Sequence, residues 1–450
     1  VRGSPILQND FSGGVNLYDA AYQVGGNEAR DARNVLTTNR GAIRKRDGSQ
    51  VFATLAQQPL SLYAAQNPTF LIASGSTFLY SVDAAKTVTQ IASGLTAGRR
   101  WQWVTAPTNG GQGPLFGTNG AELRYSNGTL AGTGAWTAAA GTLPVGQYLA
   151  YVQNRTLMAG MASYTTSDPA NTVVASNIGS ARDWTIGANQ GWAVMLDPGD
   201  GDVITGVAGA GMQVVVFKRR KVYVIYDLNT GANRRVTDKT GAVAPRSVIE
   251  TPYGTFFLSE NQGVCRTNGS QIDRVSDKVL PLFSLTPAAM RSQAVAAYFN
   301  DHLYLAISTA SSTQNDTLLD FDLKANSWWV HSLAFQDVVP WDPGSGQALY
   351  GARSGQANVQ QLFVPNLTQD DVPAAGGAGT NFSTYWQGPW VTFQQPYRRH
   401  RVREIHFDGR GRMSFAVARN FQRTPEDILS TLFGIESAQY GTDDGSLYGV

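Results

Sequence analysis

The feature that most limits what this chain can fold into is a loose repeat. From about Val51 to Phe363, runs of three to six apolar, β-branched and aromatic residues alternate with Gly-, Asn- and Asp-rich turns. The runs gather into units of three or four strands. The first unit holds Phe70-Leu-Ile-Ala-Ser-Gly75 and Thr77-Phe-Leu-Tyr-Ser81. The second holds Trp101-Gln-Trp-Val104, Leu115-Phe-Gly117 and Glu122-Leu-Arg-Tyr125. A third runs from Tyr148 to Trp184. The fourth is the clearest, with Val203-Ile-Thr-Gly-Val207, Val214-Val-Val-Phe217 and Lys221-Val-Tyr-Val-Ile-Tyr226. A fifth spans Ser247 to Arg266, a sixth Ala294 to Val330, and a partial unit covers Gln347 to Phe363. Four-stranded units recurring at roughly 40–50 residues are the pattern of propeller blades. A single blade cannot bury both of its faces, whereas blades stacked around an axis cover one another. A pair of β-sandwich domains also gives regularly spaced strands and is the alternative.

Composition agrees with an all-β chain. Glycine accounts for 48 of 450 residues and aromatics for 10%, while charged residues are only 15%. Helical surfaces need more Lys and Glu than that. The net charge of +2 gives no general attraction to nucleic acid or acidic membranes, and it leaves little barrier to self-association. Cys265 is the single cysteine, which excludes an intrachain disulfide and a thiolate zinc cluster; it reads as a buried inert thiol. No run approaches the roughly 18 apolar residues of a membrane-spanning helix. Val1-Arg2-Gly3-Ser4-Pro5 does not read as a secretory signal.

Outside the repeats, Asn27 is placed to cap a short helix with Glu28 in its first turn. Gly41 to Gly48 reads as a strand between glycine turns. Leu367 to Gly379 reads as a linker or surface loop. Beyond it, Val402-Arg-Glu-Ile-His-Phe407 and Met413-Ser-Phe-Ala-Val-Ala418 suggest a small separate β-sheet domain.

No chemistry-bearing motif stands out. The histidines His302, His331, His400 and His406 form no close helical pair and read as surface or satisfied core residues. Asp197-Pro-Gly-Asp200-Gly-Asp202 is an oxygen-rich loop of the sort calcium favours, but its spacing is ordinary turn chemistry. Trp101, Trp103, Trp328 and Trp329 read as blade core rather than a sugar groove. Gly206-Val-Ala-Gly209-Ala-Gly211 lacks dinucleotide-binding spacing. Three basic clusters remain as candidate DNA or partner contacts: Arg44, Lys45 and Arg46; Lys218, Arg219, Arg220 and Lys221; and Arg398, Arg399, Arg401 and Arg403. The second cluster reads as a hairpin tip. No catalytic residue, metal ligand or cofactor is expected.

Several segments resemble structural proteins of bacteriophage tails. The run Phe11-Ser-Gly-Gly14, through Asn27-Glu-Ala-Arg-Asp-Ala-Arg-Asn34, to Gly41-Ala-Ile-Arg-Lys-Arg-Asp-Gly48 looks like their opening. There a glycine pair is followed by an Asn-Glu stretch, an Asn and a basic strand ending in Gly. Val214 to Ile225, Gly241-Ala-Val-Ala-Pro-Arg-Ser247 and Phe256 to Val264 continue the likeness. The plan is similar to the packaged-DNA stabilisation, or tail hub and nozzle, proteins of short-tailed phages. It spans most of residues 11–330; the C-terminal part matches less clearly, apart from Tyr397 to Arg403.

The resemblance implies a propeller of about six blades, a homo-oligomeric ring often of six copies, a channel for DNA, and no enzyme. The expected organisation is an N-terminal arm with a short helix and strand (1–48), a propeller (49–366), a linker (367–379) and a small C-terminal β domain (380–450). The expected function is a virion protein, assembled in the host cytoplasm, that continues the tail's DNA channel. Its partners would be further copies of itself, the portal or adaptor, other tail proteins or fibres, and passing DNA without sequence preference; no membrane insertion is expected. Residues 3–33 are expected to make intersubunit or adaptor contacts, being too poor in apolar pattern to form a core. The alternative is a tail-tip or fibre-anchoring propeller that binds or degrades host-surface glycan.

Overall fold

A computed structural model describes residues 10–20, 23–38, 41–66, 69–128, 132–309, 312–370 and 379–389, together with the backbone of 412–415 and 431–434. It divides into two units, Val1–Gly388 and Pro389–Val450.

The first unit is a seven-bladed β-propeller of antiparallel four-stranded sheets. Blade 1 runs Ser61–Gln66, Thr69–Ser74, Leu79–Val82, Val88–Ala92, and blade 2 runs Gln102–Thr105, Leu115–Thr118, Leu123–Ser126, Gly134–Ala135. Blade 3 is Gly146–Val152, Arg155–Met161, Thr172–Ala175, Trp192–Met195, and blade 4 is Ile204–Ala210, Gln213–Lys218, Val222–Asp227, Ala232–Thr237. Blade 5 is Ile249–Thr251, Gly254–Ser259, Gly263–Thr267, Ile272–Arg274, and blade 6 is Val295–Phe299, His302–Ile307, Thr317–Asp322, Ser327–His331. Blade 7 takes Phe335–Trp341, Ala348–Arg353 and Asn358–Val364 from the end of the repeats, and its outer strand, Gly48–Thr54, from before blade 1. The first strand of each blade is innermost. Each packs on the next, and that of blade 7 packs on both blade 6 and blade 1, so the ring is closed.

The expected count of about six is corrected to seven. The seventh unit looked partial because its strands come from both ends of the repeat region. Pairing of Gly48–Thr54 with Asn358–Val364 closes the ring through backbone hydrogen bonds and leaves no unpaired seam between first and last blades.

The apolar runs follow from this geometry. An interior blade is covered on both faces, so its strands carry few polar positions. In blade 1, Leu71 and Ala73 face blade 7 while Phe70 and Ile72 face blade 2. Among the described residues the core falls into seven apolar clusters, one at each blade interface. Phe217 of blade 4 meets Phe257 of blade 5 at 4.9 Å between ring centroids. Cys265 lies buried beside them, and burial pushes its thiol up to about 12, which keeps it protonated and unreactive. Trp328 and Trp329 are both buried in blade 6.

The segment before blade 7's outer strand forms a strap along the outer edge of blade 6. Val15 N–H donates to Trp328 O at 2.8 Å, and Asn34 N–H donates to Val330 O at 2.9 Å. Val15, Ala29 and Ala32 are buried against blades 5 and 6. The described part of the arm therefore finds its apolar cover on its own propeller, although it cannot form a core alone. Gly14 adopts φ +74°, and a Cβ there would sit 2.7 Å from the Trp328 backbone, so only glycine permits this approach.

Three further expectations change. No helix follows Asn27: Glu28 instead accepts from Gly25 N–H (2.9 Å) and Asn16 Nδ2 (2.8 Å) and pairs with Lys278, which holds a turn. Tyr385–Gln387, expected in a C-terminal domain beginning at 380, pairs with Asp31–Arg33 in the strap. Leu367 and Asp370, expected in a linker, are anchored by Gly48 N–H of blade 7 and by Arg46 of the strap; 371–378 lie outside the described residues. In the second unit, Arg412–Phe415 pairs antiparallel with Thr431–Gly434. No helix among the described residues is long and apolar enough to cross a membrane.

Candidate functional site

The inner strands of all seven blades surround an axial cavity of about 620 Å³. Leu62 and Tyr63 come from blade 1, Gln102 and Trp103 from blade 2, Gln147 and Tyr148 from blade 3 and Thr205 from blade 4. Ile249, Ala296 and Asp337 complete the circle. The wall carries three guanidinium groups, Arg99, Arg100 and Arg246, against one carboxylate, Asp337.

Arg246 sits in the turn entering blade 5, yet every partner of its guanidinium lies across the axis. Nη1 donates to Trp101 O (3.1 Å), and Nη2 donates to Leu62 O (3.3 Å) and pairs with Asp337 of blade 7. Arg100, in the turn entering blade 2, also spans the axis. It donates to Gln293 O before blade 6 (3.3 Å) and to Gln336 Oε1 of blade 7 (3.0 Å). Asp337 additionally accepts Leu62 N–H (2.7 Å) and Val338 N–H (3.0 Å). Burial pushes its carboxyl above the usual range, with Arg246, the Leu62 N–H and Arg100 pulling the other way. Burial brings Arg100 down to about 10, Asp337 opposing this and Arg246 adding to it. Tyr148 is pushed up to about 12 by burial, so its hydroxyl stays neutral.

Sequence reasoning missed these residues. The available signal was Asp337 itself, a carboxylate in the apolar strand Phe335–Trp341 where only a buried partner would tolerate it.

The two basic clusters among the described residues are mostly occupied internally. The hairpin tip and the acidic loop, read separately as a DNA contact and as a weak calcium candidate, are partners. Lys218 Nζ lies 3.0 Å from both Asp200 oxygens, and Lys221 Nζ lies 2.6 Å from Asp200 and 3.4 Å from Asp197. Asp202 accepts the backbone N–H groups of Arg219 and Arg220, at 3.1 and 3.0 Å. Arg219 pairs with Glu260, and Arg235 and Tyr223 both reach Asp197. Of the four, only the Arg220 side chain has no carboxylate partner within ion-pair distance among the described residues. Burial raises Asp200, but hydrogen bonds from Lys221 and Lys218 outweigh it and hold the carboxyl at about 2. No group of His, Cys, Asp and Glu among the described residues could hold a metal ion.

In the first cluster, Arg44 makes a two-pronged pair with Asp47, both contacts at 3.0 Å. Lys45 donates to Thr368 O at 2.8 Å. Arg46 is fully buried in a two-pronged pair with Asp370, bonds Asn34 Oδ1 through Nε (2.8 Å), and lies 3.7 Å from the Phe382 ring. Arg398, Arg399, Arg401 and Arg403 lie outside the described residues, as do His400 and His406.

The other two histidines do converge. Asp320, buried in blade 6, contacts His302 Nδ1 at 2.7 Å and His331 Nε2 at 3.6 Å. Burial lowers His302, but Asp320 outweighs it and the imidazole sits above its usual value; at His331 burial prevails and it sits below. Asp320 and His331 are both fully buried in the blade, and His302 is half-buried at its edge.

No protein-family model matches this sequence, and no curated protein does. Solved structures similar in shape include one described as U3-55K and one as the RRP9 WD40 repeats, each at 8% identity and TM-score 0.45, covering 70% of this chain and 98% of the other. Another is PorZ, a surface component of the type-IX secretion system of Porphyromonas gingivalis, at 14% identity and TM-score 0.43; this chain covers 43% of it.

Proposed function

We propose that this chain is a non-enzymatic structural subunit that assembles as a ring, of about six copies, in the hub or nozzle of a phage tail. The observation that carries the reading is the use the fold makes of the residues that resemble tail proteins. Gly14 lets the strap meet blade 6, Asn34 ties the strap to Ser332 and Arg46, and Gly48 begins the strand that completes blade 7. The resemblance thus rests on residues that close a rigid body, which is what a part loaded by packaged DNA requires.

The propeller axis is crossed by Arg246 and Arg100, so in this reading DNA runs through the ring of copies and not through one propeller. The portal or adaptor, other tail proteins and fibres are the expected partners, and the virion is the expected location. A separate C-terminal domain within residues 389–450 belongs to the same proposal. A glycan-degrading role has less support. Hydrolysis calls for two carboxylates roughly 5–10 Å apart, and the axial cavity offers Asp337 alone, already paired with Arg246.

Electron microscopy of the purified full chain and of phage particles tests the reading. A closed ring with a lumen passing duplex DNA, located in the tail, is expected. A chain that stays monomeric and is missing from purified particles overturns it.

A further inference from the structure

We infer that the axial cavity is a binding site for the oxyanion group of a small molecule, held by Arg100. The inference does not depend on the ring or on a place in a virion.

Charge carries the argument. Arg246 has a counter-charge in Asp337, which is satisfied in turn by two backbone N–H groups. Among the described residues Arg100 has none in contact: its two hydrogen bonds go to the Gln293 carbonyl and the Gln336 amide oxygen, both neutral. Among the described residues the cavity wall therefore holds three guanidinium groups and one carboxylate, Asp337, which is in ion-pair contact with Arg246 and attracts Arg100 only from beyond that distance. Arg100 is half-buried in this wall, and the part of its charge withdrawn from water is best compensated when an anion joins it. Bracing the turn against blades 6 and 7 needs only a neutral donor, so the brace does not account for the charge. An oxyanion does, because the planar fork of arginine presents paired donors to carboxylate or phosphate oxygens.

Size and walls fit the same occupant. About 620 Å³ lies within the range of small-molecule pockets. Trp103, Tyr148, Val248 and Val338 supply apolar and aromatic surface, and Gln102 and Gln147 supply neutral polar groups. This lining suits one oxyanion on a small organic body. A nucleic-acid backbone, with a charge at every nucleotide, would leave most of its charge unmatched here.

The test uses the full chain with inorganic phosphate and with acetate, each compared with chloride at equal ionic strength. Equilibrium dialysis with labelled probe reads occupancy, and thermal unfolding reads stabilisation. Saturable binding of one probe molecule per chain with a rise in Tm is expected, and the tighter of the two probes identifies the head group. Arg100→Gln should weaken binding at least tenfold, Arg100→Lys should weaken it less, and Arg220→Ala on the surface should leave it unchanged. The lysine variant keeps the test decisive if the glutamine variant does not fold. The inference fails if neither probe binds the unaltered chain beyond chloride, or if both Arg100 variants bind as it does.

Discussion

Arg246 and Asp337 form an ion pair across the propeller axis, joining the turn before blade 5 to the inner strand of blade 7. Blade 5 touches blades 4 and 6 around the ring, so this pair, with the bonds from Arg246 to Leu62 and Trp101, ties together parts that ring closure alone leaves on opposite sides. It acts as a spoke, and Arg100 makes a second.

Removing either end of the first spoke leaves a buried group without its partner. Asp337 is almost fully buried and Arg246 is about one-fifth exposed. Arg246→Met and Asp337→Asn are each expected to lower the unfolding free energy by about 3 kcal/mol. Replacing both, with Met and Leu, should cost less than the sum because neither charge is then stranded. Denaturant titration of the four proteins checks this; strictly additive losses would show that the pair is not coupled.

The closure of blade 7 has its own latch. Arg46 precedes the outer strand, and its guanidinium is held by Asp370, Asn34 and the Phe382 face. Asp370 also accepts from the Ser49 backbone N–H at 3.0 Å, so it fixes the start of that strand twice. Asp370→Ala is expected to cost about 3 kcal/mol and Phe382→Ala about 1 kcal/mol. Limited proteolysis should then cut the strap before it cuts the blades. Arg46→Lys should not restore stability, since an ammonium cannot make the paired contact. Unfolding midpoints of Asp370→Ala and Arg46→Lys equal to that of the unaltered chain would remove the latch from the account.

The blades were legible in the sequence because strands buried on both faces must read as unbroken apolar runs, as Val214-Val-Val-Phe217 does. Six units could be read in order along the chain. The seventh could not, because Gly48–Thr54 and Asn358–Val364 are partners with the whole ring between them, and no local pattern signals a pairing of that separation. The basic and acidic segments were visible as charges, but their meaning was not. Lys218 ends a strand of blade 4 and Asp200 stands in the loop before that blade, and only the fold brings them to 3.0 Å. Arg100 and Arg246 had the same difficulty, since their partners across the axis lie far away in sequence. Asn27 and Glu28 misled in the other direction: a cap-and-carboxylate pair favours a helix locally, but Lys278 and Asn16 hold Glu28 in a turn.

Asp200 should make stability depend on acid. Its folded carboxyl is held at about 2, below its usual value near 3.8, by hydrogen bonds from Lys221 and Lys218 acting against burial. A lowered carboxyl stabilises the fold above its unfolded pKa, and the contribution is lost as pH falls from about 4 through about 2. Because the loop is open to solvent, the loss should be about 1 kcal/mol after screening. Asp200→Asn should start less stable at pH 7 and show a flatter profile across that window. Unfolding midpoints at intervals between pH 2 and 6 check the slope, and a variant profile parallel to the original would locate the acid sensitivity elsewhere.

The internal pairing of the hairpin tip also bears on contact with DNA. A lysine that neutralises a phosphate releases counterions, and each such contact steepens the dependence of log K on log salt by about 0.9. Lys218 is fully buried and committed to Asp200, so it is not available for that exchange. Lys218→Met should therefore lower stability, by leaving Asp200 short of a partner, while leaving the salt slope of any duplex binding unchanged. The exposed Arg220, whose side chain makes no ion pair among the described residues, is the member of the cluster whose replacement by Ala can flatten the slope. Measuring duplex affinity at several salt concentrations separates the two. A slope that falls by about 1 in Lys218→Met would mean that the lysine leaves Asp200 to meet phosphate, and that the tip is a contact surface after all.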